Sequence, residues 1–462
     1  MFSSYWARII KSPVYTSWLS LIVQAANTIF ILPLAIVNFS QDELTVWLAL
    51  AVIVRFRDIF DFGLLVTISR HVAEGASNQQ RLAVRSYARQ VFYKVNLLAI
   101  ICLPFVFFIS LFNVIKDMDN TSIYIICSIL SYFGCIVFLK GNFYRAYIIG
   151  VNKIQLIKIN EVWVNTILAI ATIIYIVSGF GILPIILSQT VSFFVLYLIN
   201  RKIYLRITPR GSEEKLKNVK YTRDKELASC AKREFFSGLV GSAFVQVVNI
   251  TILNLFSQSI ANNYLIIERV VEQIKNFSRV VFYVKLPYFS KLFIRNEIDK
   301  LNQIAVSRYS LSLLLLVLSI WGGSLVYWVI TNVFNYSFGD FYLDYQLALL
   351  FVFYAIIERM TSMHNQIYLI TNDHVVSHIG MSVTALLFTI FVSLLYSFLG
   401  IYSIPISFAI SYFSFFYWFV SKNSFFKLNT KIYRFEIIPT CLFAINTIIF
   451  TLVTYEAHIS HS

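Results

Sequence analysis

Long apolar runs separated by short polar segments extend over nearly the whole chain of 462 residues. Twelve runs are close to the ~20 residues that a helix needs to cross a ~30 Å hydrocarbon core, and a thirteenth candidate covers 436–455. The runs lack the period-2 alternation of a membrane barrel, and irregular backbone cannot face lipid. The pattern therefore predicts an all-α polytopic membrane protein. The twelve predicted spans are 14–37, 44–67, 90–112, 122–149, 160–178, 181–200, 235–257, 262–291, 308–332, 345–370, 376–398 and 403–420.

The longest polar segment, 201–233, divides the predicted spans into six before it and six after it. We interpret it as a basic cytoplasmic linker between an N-terminal six-helix lobe, 1–200, and a C-terminal six-helix lobe, 234–421. Residues 422–462 are predicted to form a basic cytoplasmic loop, an extra C-terminal transmembrane helix and a tail. Because each half has an even number of spans, the two bundles are expected to share one orientation and form a parallel pseudo-two-fold repeat.

The first spans of the two halves carry uncharged amides at matching positions. Gln24 and Asn27 in the first span recur as Gln246 and Asn249 in the seventh. Such side chains can hydrogen-bond the hydroxyl groups of a sugar, or they can join neighbouring helices inside the membrane. We place all four among the candidate substrate-binding residues and keep helix association as the alternative interpretation.

The charge of the chain follows the predicted topology. Hydrophobic residues make up 58% of the chain, charged residues 13%, and the mean hydropathy is +0.72, whereas about a quarter of a soluble domain is charged. The segment 201–233 holds eleven lysines and arginines, and Lys116 is the only one in the predicted outer loops. This positive-inside asymmetry explains the net charge of +15, predicts a cytoplasmic N-terminus, and argues against a nucleic-acid partner.

The most informative polar positions lie inside the eighth predicted span. Ionisable groups in a bilayer cost at least ~2.5 kcal/mol each, so they usually face a bundle interior or a wet cavity and mark a transport pathway. On a helical wheel, a stripe of charged residues falls within an arc of about 60°. It consists of Glu268, Glu272, Lys275 and Arg279, and Arg269 lies beside it. This stripe predicts a charged intramembrane cavity.

Two further spans carry charges. In the second span, spacings of three and four residues allow ion pairs on one helix, so structural pairing is one interpretation. The other interpretation is a second wall of the charged cavity, because the eighth span repeats the pattern at the corresponding place in the other half. The charges are Arg55, Arg57, Asp58 and Asp61 in the second span and Glu358 and Arg359 in the tenth.

The sequence contains no motif for nucleotide or covalent chemistry. It has neither a GxxxxGK[ST] loop nor a GxSxG elbow, so we predict no ATPase motor and no catalytic residues. His374 and His378 have a spacing that can bind a metal on a helix face. Because no third ligand lies nearby in the sequence, a solvated turn is favoured and no metal site is predicted.

Three short segments carry a resemblance to a known family. Asp61–Leu64 leads into Arg70 at the end of the second span, and Lys285–Pro287 leads into Ser290 at the end of the eighth. Gly150–Lys153 follows the fourth span. With two six-helix bundles joined by a short basic linker, the chain resembles an O-antigen flippase of the polysaccharide transport family. This family belongs to the superfamily of multidrug, oligosaccharidyl-lipid and polysaccharide exporters.

The resemblance covers about residues 14–421 and implies a function. Proteins of this family move undecaprenyl-diphosphate-linked oligosaccharide, such as an O-antigen repeat unit for lipopolysaccharide, from the cytoplasmic to the outer leaflet of the bacterial inner membrane by alternating access. The implied partners are this glycolipid, the lipid bilayer, a polysaccharide polymerase and the chain-length machinery. No cofactor is implied apart from a coupling H⁺ or Na⁺.

The charged residues acquire expected roles from this resemblance. A diphosphate is negatively charged, so poorly screened cations attract it, and carboxylates can balance the empty cavity or bind the coupling ion. The predicted substrate-binding cations are Arg55, Arg57, Arg269, Lys275, Arg279 and Arg359. The predicted ion-coupling or charge-balancing acids are Asp58, Asp61, Glu268, Glu272 and Glu358.

Two other classes of protein stay open. A sugar or drug porter of the major-facilitator type also has six plus six spans, but the basic, glycine-containing segment expected between its second and third spans is absent, since 69–86 holds only Gly75. A polysaccharide polymerase or membrane glycosyltransferase is expected to have a long outer loop. The largest predicted outer loop, 332–344, has about a dozen residues.

Overall fold

The computed structural model describes most of the chain. The described residues are 13–58, 60–61, 64–74, 78–116, 118–208, 241, 244–333, 344–371, 377–429 and 432–461. They are almost entirely helical and contain no strand, which confirms the predicted all-α class. The chain divides into two compact units, Met1–Asn262 and Asn263–Ser462, and each unit is described by itself.

The first unit is a bundle of helices. A capping box begins α2, because the Ser40 hydroxyl accepts from the Glu43 amide while the Glu43 carboxylate accepts from the Ser40 amide, both at 3.2 Å. Within the unit, α5 packs against α7, α1 against α6, and α3 against α5. The helices are α1 Pro13–Asn38, α2 Gln41–Arg55, α3 Leu64–Glu74, α4 Asn78–Ile115, α5 Thr121–Gly150, α6 Ile154–Val177, α7 Leu183–Ile207, α8 Phe244–Leu255 and the beginning of α9 Gln258–Tyr283.

The second unit contains the rest of α9 and the helices that follow it. Its central element is α12, which packs against α10, α11, α14, α15 and α16. The helices after α9 are α10 Leu286–Ile294, α11 Ile298–Trp328, α12 Tyr345–Thr371, α13 Ser377–Leu399, α14 Ser403–Ser411, α15 Tyr417–Lys427 and α16 Ile432–His461.

Eight helical segments of the described residues are long and apolar enough to cross a membrane. The last of them contains two predicted spans, which correspond to α13 and to α14 with the helices after it. Gly400, with a φ of +52°, lies between α13 and α14, and these two helices pack against each other. The protein is therefore a polytopic membrane protein. The segments are Tyr15–Asn38, Val84–Ile115, Thr121–Gly150, Ile154–Val177, Leu183–Ile207, Ile298–Thr331, Tyr345–Thr371 and Ile379–Lys427.

The second predicted span, 44–67, is not one helix. Helix α2 ends at Arg55, a short 3-10 turn follows, and α3 begins at Leu64. Asp61 lies just before the restart, and its side chain accepts a hydrogen bond from the Leu65 amide in the first turn of α3 at 3.0 Å. The expectation of one continuous helix over 44–67 is therefore wrong, and Arg57, Asp58 and Asp61 lie in the stretch between α2 and α3.

Asparagines in the left-handed region end three helices. Asn152 after α5, Asn296 after α10 and Asn429 after α15 have φ of +60°, +59° and +46°. After α5, the amides of Asn152 and Lys153 donate to carbonyl groups in the last turn of the helix, which is the Schellman arrangement. The Gly150–Lys153 segment of the sequence is thus a helix stop.

Gly150 also allows α5 to approach α3 closely. A methyl group at this position would lie 2.6 Å from Cβ of Val72 and 2.8 Å from the backbone oxygen of Ser69. Because Val72 is fully buried, α3 or α5 would have to shift to accommodate it.

We therefore expect Gly150→Ala to lower the free energy of unfolding by about 1–3 kcal/mol. Gly322→Ala in α11 is the matched control, since no atom lies within 4 Å of the added methyl group. Thermal unfolding in detergent micelles measures both changes. Equal stability of the two variants would contradict the close packing of α3 on α5.

The thirteenth predicted run forms helix α16 of the second unit. Its Asn446 accepts a hydrogen bond from the Trp321 indole of α11 at 3.2 Å and donates to the backbone oxygen of Leu349 of α12 at 3.3 Å. The described apolar part, Phe435–Ile449, is shorter than the eight segments above and than the ~20 residues of a full span. Polar contacts with α11 and α12 hold this helix in the unit.

Candidate functional site

A charged cluster joins α9 and α12 in the second unit. Lys275 of α9 lies between two carboxylates, with Nζ 2.8 Å from Oε2 of Glu272 and 3.4 Å from Oε2 of Glu358. Glu272 is on the same helix, one turn away, whereas Glu358 is on α12. We call Glu272, Lys275, Glu358 and Arg359 the α9–α12 charge cluster. It brings together predicted residues from the eighth and tenth spans.

Arg359 is the most deeply buried cation of this cluster. Its side chain is 1% exposed, and Nη2 donates to the backbone oxygen of Lys275 at 2.5 Å. Nε and Nη1 are buried and have no hydrogen-bond partner among the described residues. Unsatisfied buried donors cost free energy.

Two further contacts connect the same two helices. The rings of Tyr264 and Phe351 lie 5.1 Å apart at one end, and the hydroxyl groups of Tyr283 and Ser362 are 2.9 Å apart at the other. The charge cluster lies between these contacts. Side chains therefore hold α9 and α12 together along much of their length.

The other predicted charges of α9 lie beside the cluster. Arg279 donates a hydrogen bond to Asn276 of its own helix, and its guanidinium lies 5.6 Å from the centre of the Tyr283 ring. Glu268 and Arg269 are partly exposed, about two turns before Lys275.

The predicted charges of the first unit lie among polar and aromatic partners. Asp61 accepts a hydrogen bond from the Asn142 side chain of α5 at 2.9 Å. The Arg57 guanidinium is 3.7 Å from the centre of the Phe138 ring and 4.5 Å from that of Phe193. Arg57 thus makes cation–π contacts with α5 and α7. Arg55 is partly exposed at the end of α2, and the side chain of Asp58 lies outside the described residues.

A second ion-pair group in this unit was not among the predicted site residues. Glu161 of α6 lies 2.8 Å from both Arg145 of α5 and Lys158 of α6. The Arg145 guanidinium is also 5.4 Å from the Phe138 ring that contacts Arg57. The only signal in the sequence was the set of polar positions at the inner ends of the fourth and fifth spans.

The four predicted amides have different surroundings. Gln24 is exposed, and Asn27 donates to the backbone oxygen of Asn165 at 3.3 Å, which joins α1 to α6. Gln246 and Asn249 on α8 are buried, and both polar atoms of the Asn249 side chain lack a hydrogen-bond partner among the described residues. The matching sequence positions therefore do not have matching environments.

The described residues contain no group of three or more histidine, cysteine or acidic side chains that could hold a metal ion. His374, one member of the histidine pair noted in the sequence, lies outside the described residues.

No family model matches the chain, and no curated protein sequence matches it. Solved structures do match. An inward-facing multidrug resistance MATE family transporter of the MOP superfamily has a TM-score of 0.68 and 14% identity, over 89% of this chain and 96% of that chain. The chain has the fold of a MATE transporter. The lipid II flippase MurJ in its inward closed conformation shares it, with a TM-score of 0.66 and 12% identity over 96% and 98% of the two chains.

A MATE structure in complex with MaL6 has a TM-score of 0.61 and 13% identity over 92% of this chain and 99% of that chain. At these identities, the similarity to MATE transporters and MurJ concerns the arrangement of helices. It supports the fold class expected from the resemblance in the sequence, and the substrate has to be inferred from the residues of this chain.

Proposed function

We propose that this protein flips an undecaprenyl-diphosphate-linked oligosaccharide, an O-antigen or related repeat unit, to the outer leaflet of the bacterial inner membrane. In this proposal the N-terminus is cytoplasmic, and a polysaccharide polymerase and chain-length machinery use the delivered units. The α9–α12 charge cluster binds the diphosphate head group. The protein acts as a transporter and forms no covalent intermediate with the lipid.

The observation that carries the proposal is that Arg359 is buried and has unsatisfied hydrogen-bond donors. Its guanidinium is buried in the membrane-spanning part of the second unit, and two of its nitrogens have no partner among the described residues. A guanidinium presents donors in a rigid plane that matches phosphate oxygens bidentately. An anion reaches Arg359 only when α9 and α12 separate, because Arg359 is buried against α9 in this structure.

The neighbouring acids suggest how binding is made reversible. Glu272 and Glu358 neutralise Lys275 in this structure, so the cluster has no large excess charge without substrate. A diphosphate that enters competes with these carboxylates for Lys275. The carboxylates form their ion pairs with Lys275 again when the lipid leaves. Competition of this kind keeps the free energy of binding moderate, which a transporter needs for release.

The fold supports this function over the two alternatives raised by the sequence. The matched structures are MATE transporters and MurJ, rather than porters of the major-facilitator type or polymerases. A MATE fold also suits drug export, but an exporter of organic cations needs available carboxylates. In this cluster, Lys275 already engages two of them.

Ligand-induced stabilisation tests the substrate class directly. We expect undecaprenyl diphosphate to raise the thermal stability of the purified protein in detergent, because a ligand at 100 times its Kd stabilises the folded state by about 2.7 kcal/mol. Undecaprenol, which has the same chain without phosphate, serves as the matched control ligand. Leaflet-resolved labelling of lipid-linked glycan in cells with and without the protein then measures delivery.

Three other results of these experiments would contradict parts of the proposal. Equal stabilisation by undecaprenol would show that only the lipid chain is recognised and would overturn the role of the charge cluster. Stabilisation by organic cations but not by the diphosphate lipid would favour drug export. Unchanged outer-leaflet glycan in cells without the protein, when no other flippase is present, would overturn the flippase function itself.

A further inference from the structure

A buried histidine–glutamate pair lies in the second unit, outside the α9–α12 charge cluster. The side chain of His364 on α12 is 0% exposed, and its Nε2 is 3.0 Å from Oε1 of Glu436 at the beginning of α16. The other carboxylate oxygen of Glu436 accepts a hydrogen bond from the Tyr309 hydroxyl of α11 at 3.4 Å. The pair therefore connects three helices, and the proposed binding of the diphosphate does not use it.

The surroundings of the pair are mainly aromatic. The titratable side chains that face it among the described residues are Tyr309 from α11 and Tyr417 from α15. From the described residues, no lysine or arginine pairs with Glu436, and α10 and α14 form no hydrogen bond with the pair. Among the described side chains, the proton on the imidazole therefore sets the charge of the site. The rings packed around His364 are Tyr309, Tyr417, Phe425 and Phe435, with centres 5.1–5.9 Å away.

One atom of the pair is available for a proton. Nδ1 of His364 is buried and has no hydrogen-bond partner among the described residues. A neutral imidazole that donates from Nε2 to the Glu436 carboxylate leaves Nδ1 bare, and the pair has a charge of about −1. Addition of one proton at Nδ1 gives an imidazolium beside a carboxylate, with no net charge.

These two states differ in how well the protein can bury them. An uncompensated buried charge costs several kcal/mol, whereas a hydrogen-bonded pair of opposite charges is compensated. The protonated pair fits the aromatic site, and the deprotonated pair favours an arrangement in which water reaches Glu436. Glu436 is 9% exposed at the beginning of α16, so separation of α16 from α12 would open its carboxylate further to water.

We propose that His364 and Glu436 form a proton-binding site that takes up the coupling proton of transport, and that its occupancy holds α16 against α12. Proton binding stands on the geometry of the pair alone, whereas its coupling to transport rests on the proposed function. Helix α12 also carries Glu358 and Arg359, five to six positions before His364. One rigid helix therefore links the proton site to the charge cluster.

The proton site is tested first, without any transport measurement. The complete protein is labelled with ¹⁵N-histidine, placed in lipid nanodiscs and titrated between about pH 5 and pH 8, where histidine changes charge. We expect the imidazole signal that disappears in His364→Gln to change from the imidazolium to the neutral pattern. Glu436→Gln keeps the shape but removes the charge, and we expect it to alter this change of the His364 signal.

Coupling is tested in proteoliposomes that contain the lipid-linked glycan. We expect an imposed pH gradient to accelerate flipping several-fold in the wild type. In His364→Gln and Glu436→Gln, we expect the flipping rate to be the same with and without the pH gradient. Tyr309→Phe is the matched control, because it removes one hydroxyl contact with Glu436 and leaves both titrating groups in place, so the acceleration should persist.

The outcomes separate this proposal from the proposed function. A His364 signal that keeps one protonation state throughout the titration overturns the proton site. Acceleration that is unchanged in Glu436→Gln overturns its role in coupling. If the wild type moves no glycolipid at all, the flippase function fails, and the titration of the wild-type protein still decides whether the pair binds a proton.

Discussion

Lys275→Glu is expected to lower outer-leaflet delivery of lipid-linked glycan by at least about 100-fold, since a loss of ~2.8 kcal/mol corresponds to that factor. The substitution replaces a cation by a third carboxylate next to Glu272 and Glu358, which lie 2.8 and 3.4 Å from Nζ. Two like charges 4 Å apart repel each other by about 4 kcal/mol at an effective dielectric constant of 20. The cluster would then repel a diphosphate. Leaflet-resolved labelling in cells measures the effect, and immunoblotting of membranes checks the amount of protein.

Two controls separate loss of function from loss of folding. Arg295→Glu makes the same change of charge at an exposed position after α10, and we expect it to retain delivery. The double variant Lys275→Glu/Glu358→Lys restores a balanced pair between α9 and α12 and is expected to recover stability. Normal delivery by both Lys275→Glu and Arg269→Glu would contradict a role for this stripe of α9 in binding.

Arg359→Met is expected to abolish delivery and to lower the free energy of unfolding. Methionine has a similar length and no polar atoms, but it leaves two carboxylates and one lysine in the charge cluster, and removal of one charge from a buried pair costs about 3–5 kcal/mol. The substitution also removes two buried donors that lack partners among the described residues, which offsets part of this loss. Delivery by a variant that still folds therefore decides whether Arg359 has a role beyond stability.

Thermal unfolding and leaflet labelling on the same preparations measure the two effects. Arg295→Met provides the control for the loss of one positive charge. We also expect Arg359→Met to lose the stabilisation by undecaprenyl diphosphate. A variant that is destabilised and still delivers glycan would show that Arg359 is a structural residue.

The sequence predicted the elements that depend on periodicity within one helix. The polar stripe of α9 was recognisable because Glu272 and Lys275 are one turn apart, and the structure places them 2.8 Å apart. The same reasoning failed at 44–67, where the run is apolar enough for one span. There the Asp61 side chain accepts a hydrogen bond from the first turn of a new helix, and a hydropathy pattern does not record such an interaction.

Contacts between helices were much harder to predict. His364 and Glu436 are separated by 72 positions, and neither lies on a stripe of charges that draws attention in the sequence. Arg57 was recognisable in the sequence as a charge, but its contact with the Phe138 ring at 3.7 Å was not. Such partners depend on which helices pack together, and helical periodicity describes only one helix at a time.

The composition of α12 also has a consequence for biogenesis. Among the eight described segments that could cross a membrane, Tyr345–Thr371 is the least apolar and the most buried. A segment that carries a glutamate, an arginine and a histidine partitions poorly from the translocon into lipid by itself. Its stable insertion therefore requires neighbouring helices that shield these groups. Glu436 is supplied only when α16 has been synthesised. Ribosomes that stall before this point would leave α12 unshielded and exposed to membrane quality-control proteases.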